Sequence, residues 1–255
     1  MDRLIELAAP NGLGDAIYLR AAVLHLLEQG EQDVHVITMW PAIFDDLPVT
    51  TKACSDLPGK EHPRYVAYTM RHKLHGTDQG MNQFQLCCRE AEIAGPVKLD
   101  IRWTARNPAL CKEIKRKAHG REILIYQPVK LANIFTPQQN AFDRWLHQKN
   151  KYYRIRVGHP ALIKQGSSMG CELDLVGKAS VSDVFDIATI GDLFFGELCY
   201  IPLLAEAMDK QFVCMFSSAA AKTGEYKHIN FQRMFHKYHL GTAAYDDQIM
   251  PILGV

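Results

Sequence analysis

This 255-residue chain lacks most of the features that assign a protein quickly. It has no apolar run near the roughly 18 residues of a membrane-crossing helix, so no transmembrane segment is expected. Its N-terminus has no basic stretch leading into an apolar core, so no signal peptide is expected either. An excess of charge of one sign is missing too. The formal net charge is +1, and no global field advertises nucleic acid or a membrane surface. The seven cysteines, Cys54, Cys87, Cys88, Cys111, Cys171, Cys199 and Cys214, form no CxxC pair and show no Cys/His spacing of a zinc site. They read as reduced thiols of a cytoplasmic protein, several of them core residues. What remains is ordinary: 47% hydrophobic and 22% charged residues, a soluble globular chain long enough for one large α/β domain or two small ones.

What the chain does have is a turn. Pro10-Asn11-Gly12-Leu13-Gly14-Asp15 follows the apolar run Leu4–Ala9 and precedes a helical pattern over Asp15–Gln29. Strand, glycine turn and helix together cradle negative charge, because the first N–H groups of the helix lack partners and point at the turn. A carboxylate is the odd residue in such a cradle. Asp15 is either a first-turn cap acid or a general base held at the mouth of a site. A helix N-terminus on its own predicts a lowered carboxylate pKa.

The rest of the first half continues the alternation. Gly30 stops the helix, whose apolar face is Ile17, Ala21, Leu24 and Leu27, and Val34–Thr38 reads as the next parallel strand. A short helix is expected over Trp40–Leu47, irregular loop over residues 50–64, a strand at Tyr65–Tyr68 and a helix over Asn82–Ala94. The basic run Asn107–His119, closed by Gly120, marks a solvated helix face and a place for a domain junction.

A second series follows: strands at Glu122–Gln127, Tyr153–Gly158, Leu173–Gly177, Asp192–Phe195 and Phe212–Phe216, with helices over Thr136–Gln148, Ser180–Ala188 and Ile201–Met208. Strands alternating with helices predict an open parallel sheet. The fold class is therefore α/β, with two Rossmann-like halves, residues 1–118 and 119–255.

Two such halves facing across a cleft resemble the GT-B glycosyltransferases. The segment Gly12-Leu13-Gly14-Asp15-Ala16-Ile17, with Arg20–Leu27 after it, resembles the opening of the bacterial heptosyltransferases of glycosyltransferase family 9. Asp174–Val184, Ile187–Gly196 and Leu203–Gln211 resemble three consecutive segments of that family's donor half. Two departures stand out. Leu203 falls where the family has a histidine, and Glu197 stands near the place of its donor-loop aspartate. The chain is also short for the family, with most of the loss in the first half.

The resemblance implies a metal-independent, inverting transfer of a sugar from an ADP- or UDP-type nucleotide sugar to an acceptor hydroxyl. It implies no cofactor beyond the donor and no metal. Asp15 then resembles the family's general base, with Asn11 and the N–H groups of Gly12 and Gly14 to orient it. Lys130 follows the first strand of the second half, where the family has a phosphate-contacting basic residue. Gly177 and Lys178 occupy the place of a loop that holds the nucleotide base, and Glu197 suits a ribose or sugar diol. Ser217, just past the last strand, offers a hydroxyl to a phosphate or caps its own loop. Each of these has a plainer alternative: surface lysine, simple turn, helix-cap acid. The Arg71-His72-Lys73 cluster with His75 is solvated surface, or suits an anionic acceptor, either a glycan core or modified DNA. A nucleotide-sugar epimerase or hydrolase, and a non-catalytic nucleotide-binding protein, share the architecture and remain alternatives.

Overall fold

The computed structural model describes residues 5–9, 12–52, 66–67, 84, 88–89, 93, 95, 97–127, 151–160, 170–197, 200–215 and 243–244. The chain forms two compact units, Met1–Ile101 and Arg102–Val255.

In the first unit, β1 (Ile5–Ala9) lies between β2 (Val34–Thr38) and the two-residue β4 (Val66–Ala67). The strand β3 (Thr50–Lys52) pairs with the outer side of β2. All these pairings are parallel, as the βαβ reading requires. The stretch 50–64 is thus not wholly irregular. Thr50-Thr51-Lys52 forms the outermost strand of this sheet among the described residues.

The crossover helix α1 (Leu13–Glu28) differs from the expected single-faced helix. Every residue from Asp15 to Val23 is buried, and Leu24 and Leu27 are only half-buried. A helix apolar on all sides belongs inside a unit rather than on its surface, and Ala16, Ala21 and Ala22 give this one the slenderness to fit there. Arg20 is fully buried within it. Its guanidinium donates to both carboxylate oxygens of Asp46 at 2.7 Å, to the Ile101 carbonyl at 2.8 Å and to the Ile43 carbonyl. Such saturation is what keeps a buried cation tolerable.

The second unit starts earlier than residue 118. The basic helix, α2 (Pro108–Ala118), packs on α3 (Val181–Ile190) and so belongs to this unit. Asp186 explains why. This carboxylate, 1% exposed on α3, accepts hydrogen bonds from the Trp103 indole at 2.7 Å, the Arg106 N–H at 3.0 Å and the Asn107 N–H at 2.6 Å. Cys111, Ile114 and Ala118 form the buried stripe of α2, and its lysines face solvent as expected. Cys88 and Cys111 are buried free thiols, as the core reading of the cysteines predicts.

The sheet of this unit is parallel throughout, in the order β10 (Ala243–Ala244), β9 (Gln211–Met215), β8 (Leu193–Glu197), β5 (Glu122–Tyr126), β6 (Tyr152–Arg156), β7 (Leu173–Asp174). Its first strand, β5, is central: the chain leaves it toward β6 and β7 on one side and returns to β8 on the other. That reversal makes a topological switch point, and ligands of open α/β sheets bind at the carboxyl ends of the strands flanking it. The helix α3 begins on a reciprocal cap, with Asp183 N–H donating to Ser180 Oγ at 3.1 Å and Ser180 N–H to Asp183 Oδ2 at 3.0 Å. The remaining helix, α4 (Tyr200–Ala207), packs on β8 and β9. The predicted helix over Thr136–Gln148 lies outside the described residues.

Candidate functional site

Asp15 stands on the first turn of α1, at the carboxyl end of the central strand β1. Its Oδ2 accepts a hydrogen bond from the Gly12 N–H at 3.2 Å, and the Ala16 N–H closes the turn onto the Gly12 carbonyl at 3.1 Å. The cap reading of this residue is therefore realised in the geometry. The electrostatic expectation is reversed. Asp15 is only 7% exposed, and burial pushes its carboxyl up from 3.8 to about 6 against the opposing pull of the Gly12 N–H. Desolvation outweighs the favourable helix end. A carboxylate near 6 is a far better proton acceptor at neutral pH than an ordinary aspartate, and it is still ionised there.

Gly12 leaves room for this arrangement. A Cβ on it would stand 3.2 Å from Asp15 Oδ2, closer than a methyl group sits beside a carboxylate without displacing it. Gly14, one residue before Asp15, lies in the first turn of α1 and is half-buried. Asn11 lies outside the described residues.

In the second unit the parallel sheet puts the ends of β5, β6, β7 and β8 on one edge. Gly177 and Lys178 follow β7 there. Gly177 has a φ of +65°, a left-handed conformation that glycine adopts without strain, and a Cβ would meet Pro160 at 3.0 Å. The N–H groups of this turn are spent internally: Val176 on Asp174 Oδ1, Gly177 on the Gly158 carbonyl and Lys178 on the Leu175 carbonyl. The Lys178 ammonium donates to the Asp174 carbonyl at 3.2 Å. These N–H groups are committed within the protein and do not form a nest for an anion.

Glu197 is the last residue of β8, paired in register with Met215. It belongs to a strand and not to a helix cap, since α4 starts only at Tyr200. Lys130, Ser217 and the Arg71–His75 cluster lie outside the described residues.

One residue on this edge escaped the sequence reading. Gln127 immediately follows β5, is 4% exposed, and donates its N–H to the Phe195 carbonyl of β8 at 3.1 Å. Its signal was faint: a single amide ending an otherwise apolar strand. A cavity of about 370 Å³ exists at the opposite edge of the sheet, where Lys115, Arg121, Asp192 and Lys210 gather around the starts of β5 and β8. Its cations are largely committed. Lys210 donates to the Thr189 carbonyl at the end of α3, and Arg121 pairs with Glu172. Basic groups at helix C-termini are the expected partners of those carbonyls. Among the described residues, no cluster of His, Cys, Asp or Glu is placed to hold a metal ion, and no helix is long and apolar enough to cross a membrane.

No protein-family model and no curated protein matches the sequence. Solved structures do match its architecture. The chain superposes on the ADP-heptose LPS heptosyltransferase II of E. coli with a TM-score of 0.66 at 10% identity, over 97% of this chain and 94% of that one. The glycosyltransferase family 9 protein of Veillonella parvula DSM 2008 gives 0.61 at 11% identity, over 99% and 98%. The fold is that of the GT-B glycosyltransferases. The iron-containing dodecameric glycosyltransferase TibC from enterotoxigenic E. coli H10407 gives 0.56 at 14% identity. This chain covers 58% of TibC, while the match takes in 84% of this chain. The GT-B assignment agrees with the resemblance carried by Gly12–Asp15 and by the donor-half segments, at the level of fold.

Proposed function

We propose that the chain is a glycosyltransferase that moves a sugar from a nucleotide-sugar donor to an acceptor hydroxyl, with inversion at the anomeric carbon and Asp15 as general base. The observation that carries this reading is a carboxylate buried at a strand–turn–helix junction of a GT-B fold, its pKa raised toward neutrality by burial. The Asp15 carboxylate takes the proton of the acceptor hydroxyl as its oxygen bonds to the anomeric carbon. The bond from that carbon to the diphosphate oxygen breaks, and the nucleoside diphosphate departs with the electron pair. The Gly12 N–H holds the carboxylate in place throughout. No step of this sequence is routed through a metal.

The second unit takes the donor. Glu197 accepts from a ribose or sugar diol, the carbonyls of the Gly177–Lys178 turn meet the donor groups of the base, and Lys130 and Ser217 hold the diphosphate. TibC is described in complex with ADP-D-β-D-heptose, and the E. coli relative is an ADP-heptose transferase. ADP-heptose is therefore the first donor to offer, with UDP-sugars second. The acceptor is a glycan hydroxyl. Retardation of duplex DNA, weakened by salt, would instead point to a modified base.

The test is release of nucleoside diphosphate from each donor in the presence of glycan acceptors, by wild type and by D15N. Acceptor-dependent release by wild type, reduced at least about a hundredfold in D15N, is the expected result. Equal release by the two proteins removes Asp15 from the chemistry, and release without any acceptor turns the reading toward a hydrolase or epimerase.

A further inference from the structure

We infer that the cavity at the amino edge of the second unit's sheet binds a small phosphate monoester, at a site separate from the carboxyl edge. Its volume, about 370 Å³, is that of a small-ligand pocket. Lys115 lines it from the last turn of α2, Arg121 from just before β5 and Lys210 from just before β9. Asp192, just before β8, is the one acid among the described residues that line it. Its carboxylate accepts the Ile123 N–H at 2.8 Å and forms no ion pair with the three cations. Three positive groups therefore share one cavity with a single carboxylate that is fixed on the backbone. Like charges held this close repel one another, and a bound anion relieves that repulsion.

The cations keep donors for such a ligand. Lys115 is exposed and makes no hydrogen bond or ion pair among the described residues. Lys210 commits one of its three N–H groups, to the Thr189 carbonyl at 3.0 Å. Arg121 commits Nε to the Ala118 carbonyl at 3.2 Å and Nη1 to Glu172 and the Tyr152 carbonyl, which leaves Nη2 among the described residues. The bonds to Ala118 and Thr189 also cap the C-terminal ends of α2 and α3, whose negative ends would otherwise oppose an anion. Solvent reaches the site, because Lys115, Gly120 and Asp192 on its wall are exposed. Chemistry narrows the ligand. Ammonium and guanidinium groups only donate, so they converge on a group that only accepts. A phosphate monoester brings nearly two negative charges and three acceptor oxygens at neutral pH, and Ala118, Ile123 and Ile190 offer apolar wall to its organic part. The five-residue strands β5 and β8 put roughly 15 Å between this edge and the carboxyl edge. The inference therefore stands whichever reaction Asp15 supports.

The experiment is calorimetric titration of the full-length chain with glucose 6-phosphate, ribose 5-phosphate and inorganic phosphate, for wild type, K115E, K210Q and K112E. Lys112 is exposed on the same helix but does not line the cavity, so K112E makes the charge change of K115E away from the site. K210Q keeps an amide N–H for the Thr189 carbonyl and loses only the charge. Wild type is expected to bind at least one sugar phosphate with a Kd below about 1 mM. K115E and K210Q should each hold it about tenfold more weakly, and K112E within about twofold of wild type. Unchanged Kd in K115E and K210Q puts the ester elsewhere and overturns the site. Equal weakening in K112E and K115E reduces the binding to the general charge of the helix and overturns it too. Inorganic phosphate held as tightly as either ester overturns the assignment to an ester. Failure of wild type to bind either sugar phosphate at about 10 mM overturns the inference outright.

Discussion

The Gly12 N–H donates to the Asp15 carboxylate at 3.2 Å, and a Cβ on Gly12 would stand at that same distance from the same oxygen. The residue that orients the carboxylate is thus also the one whose lack of a side chain makes room for it. G12A is expected to shift the carboxylate by a few tenths of an ångström and to lower kcat more than donor affinity. A misplaced base is felt in the transition state first. Steady-state kinetics on G12A, split into kcat and KM, checks this, and a change confined to KM would contradict it.

Asp15 is also expected to weaken the fold at neutral pH. Its folded-state pKa, about 6, lies above the unfolded 3.8. The stability tied to its protonated form is therefore fully present below about pH 4 and lost as pH rises through 6. A shift of this size corresponds to roughly 3 kcal/mol. D15N keeps an oxygen for the Gly12 N–H and carries no charge, so it is expected to melt several degrees higher than wild type at pH 7.5. The gap should close by pH 4. Equal melting temperatures across that range would show that Asp15 is not desolvated.

The Asp186 carboxylate holds Trp103, Arg106 and Asn107 against α3. D186A leaves an indole and two backbone N–H groups without their acceptor, each a loss of about 1–3 kcal/mol if no water replaces it. The expected outcome in urea denaturation is destabilisation of roughly 3 kcal/mol or more. A loss under about 1 kcal/mol would mean that the latch is not what ties this segment to the second unit.

At the turn after β7, the structure separates two neighbours. G177A forces a Cβ into a left-handed backbone and against Pro160, whereas Lys178 is exposed and its ammonium donates to the Asp174 carbonyl of its own turn. G177A is expected to weaken nucleotide-sugar binding severalfold and K178A by less than about twofold, as measured by thermal-shift titration. The reverse order would make the lysine, not the shape of the turn, the recognising element.

The sequence made local features legible and left tertiary ones hidden. The turn from Gly12 to Asp15 and the helix that opens at Ser180 are written in consecutive residues, and the structure builds both where they were expected. The parallel direction of the strands followed from alternation of apolar strands with helices. Neither the direction of the Asp15 shift nor the latch at Asp186 has such a local signature, since burial and a partner some eighty residues away decide them. The strand Thr50–Lys52 was hidden because its pairing, not its polar side chains, makes it a strand. Gln127 was passed over for the opposite reason: a polar residue at a strand end looks ordinary until its burial is known.

The most direct test of Asp15 as general base is the pH dependence of kcat/KM for acceptor-dependent nucleoside diphosphate release, in wild type and D15N. Wild type should lose activity as pH falls through about 6, where the Asp15 carboxylate takes up its proton, while D15N should be at least about a hundredfold slower and lack that break. A D15N enzyme within about threefold of wild type, with the same break near pH 6, would place the base elsewhere.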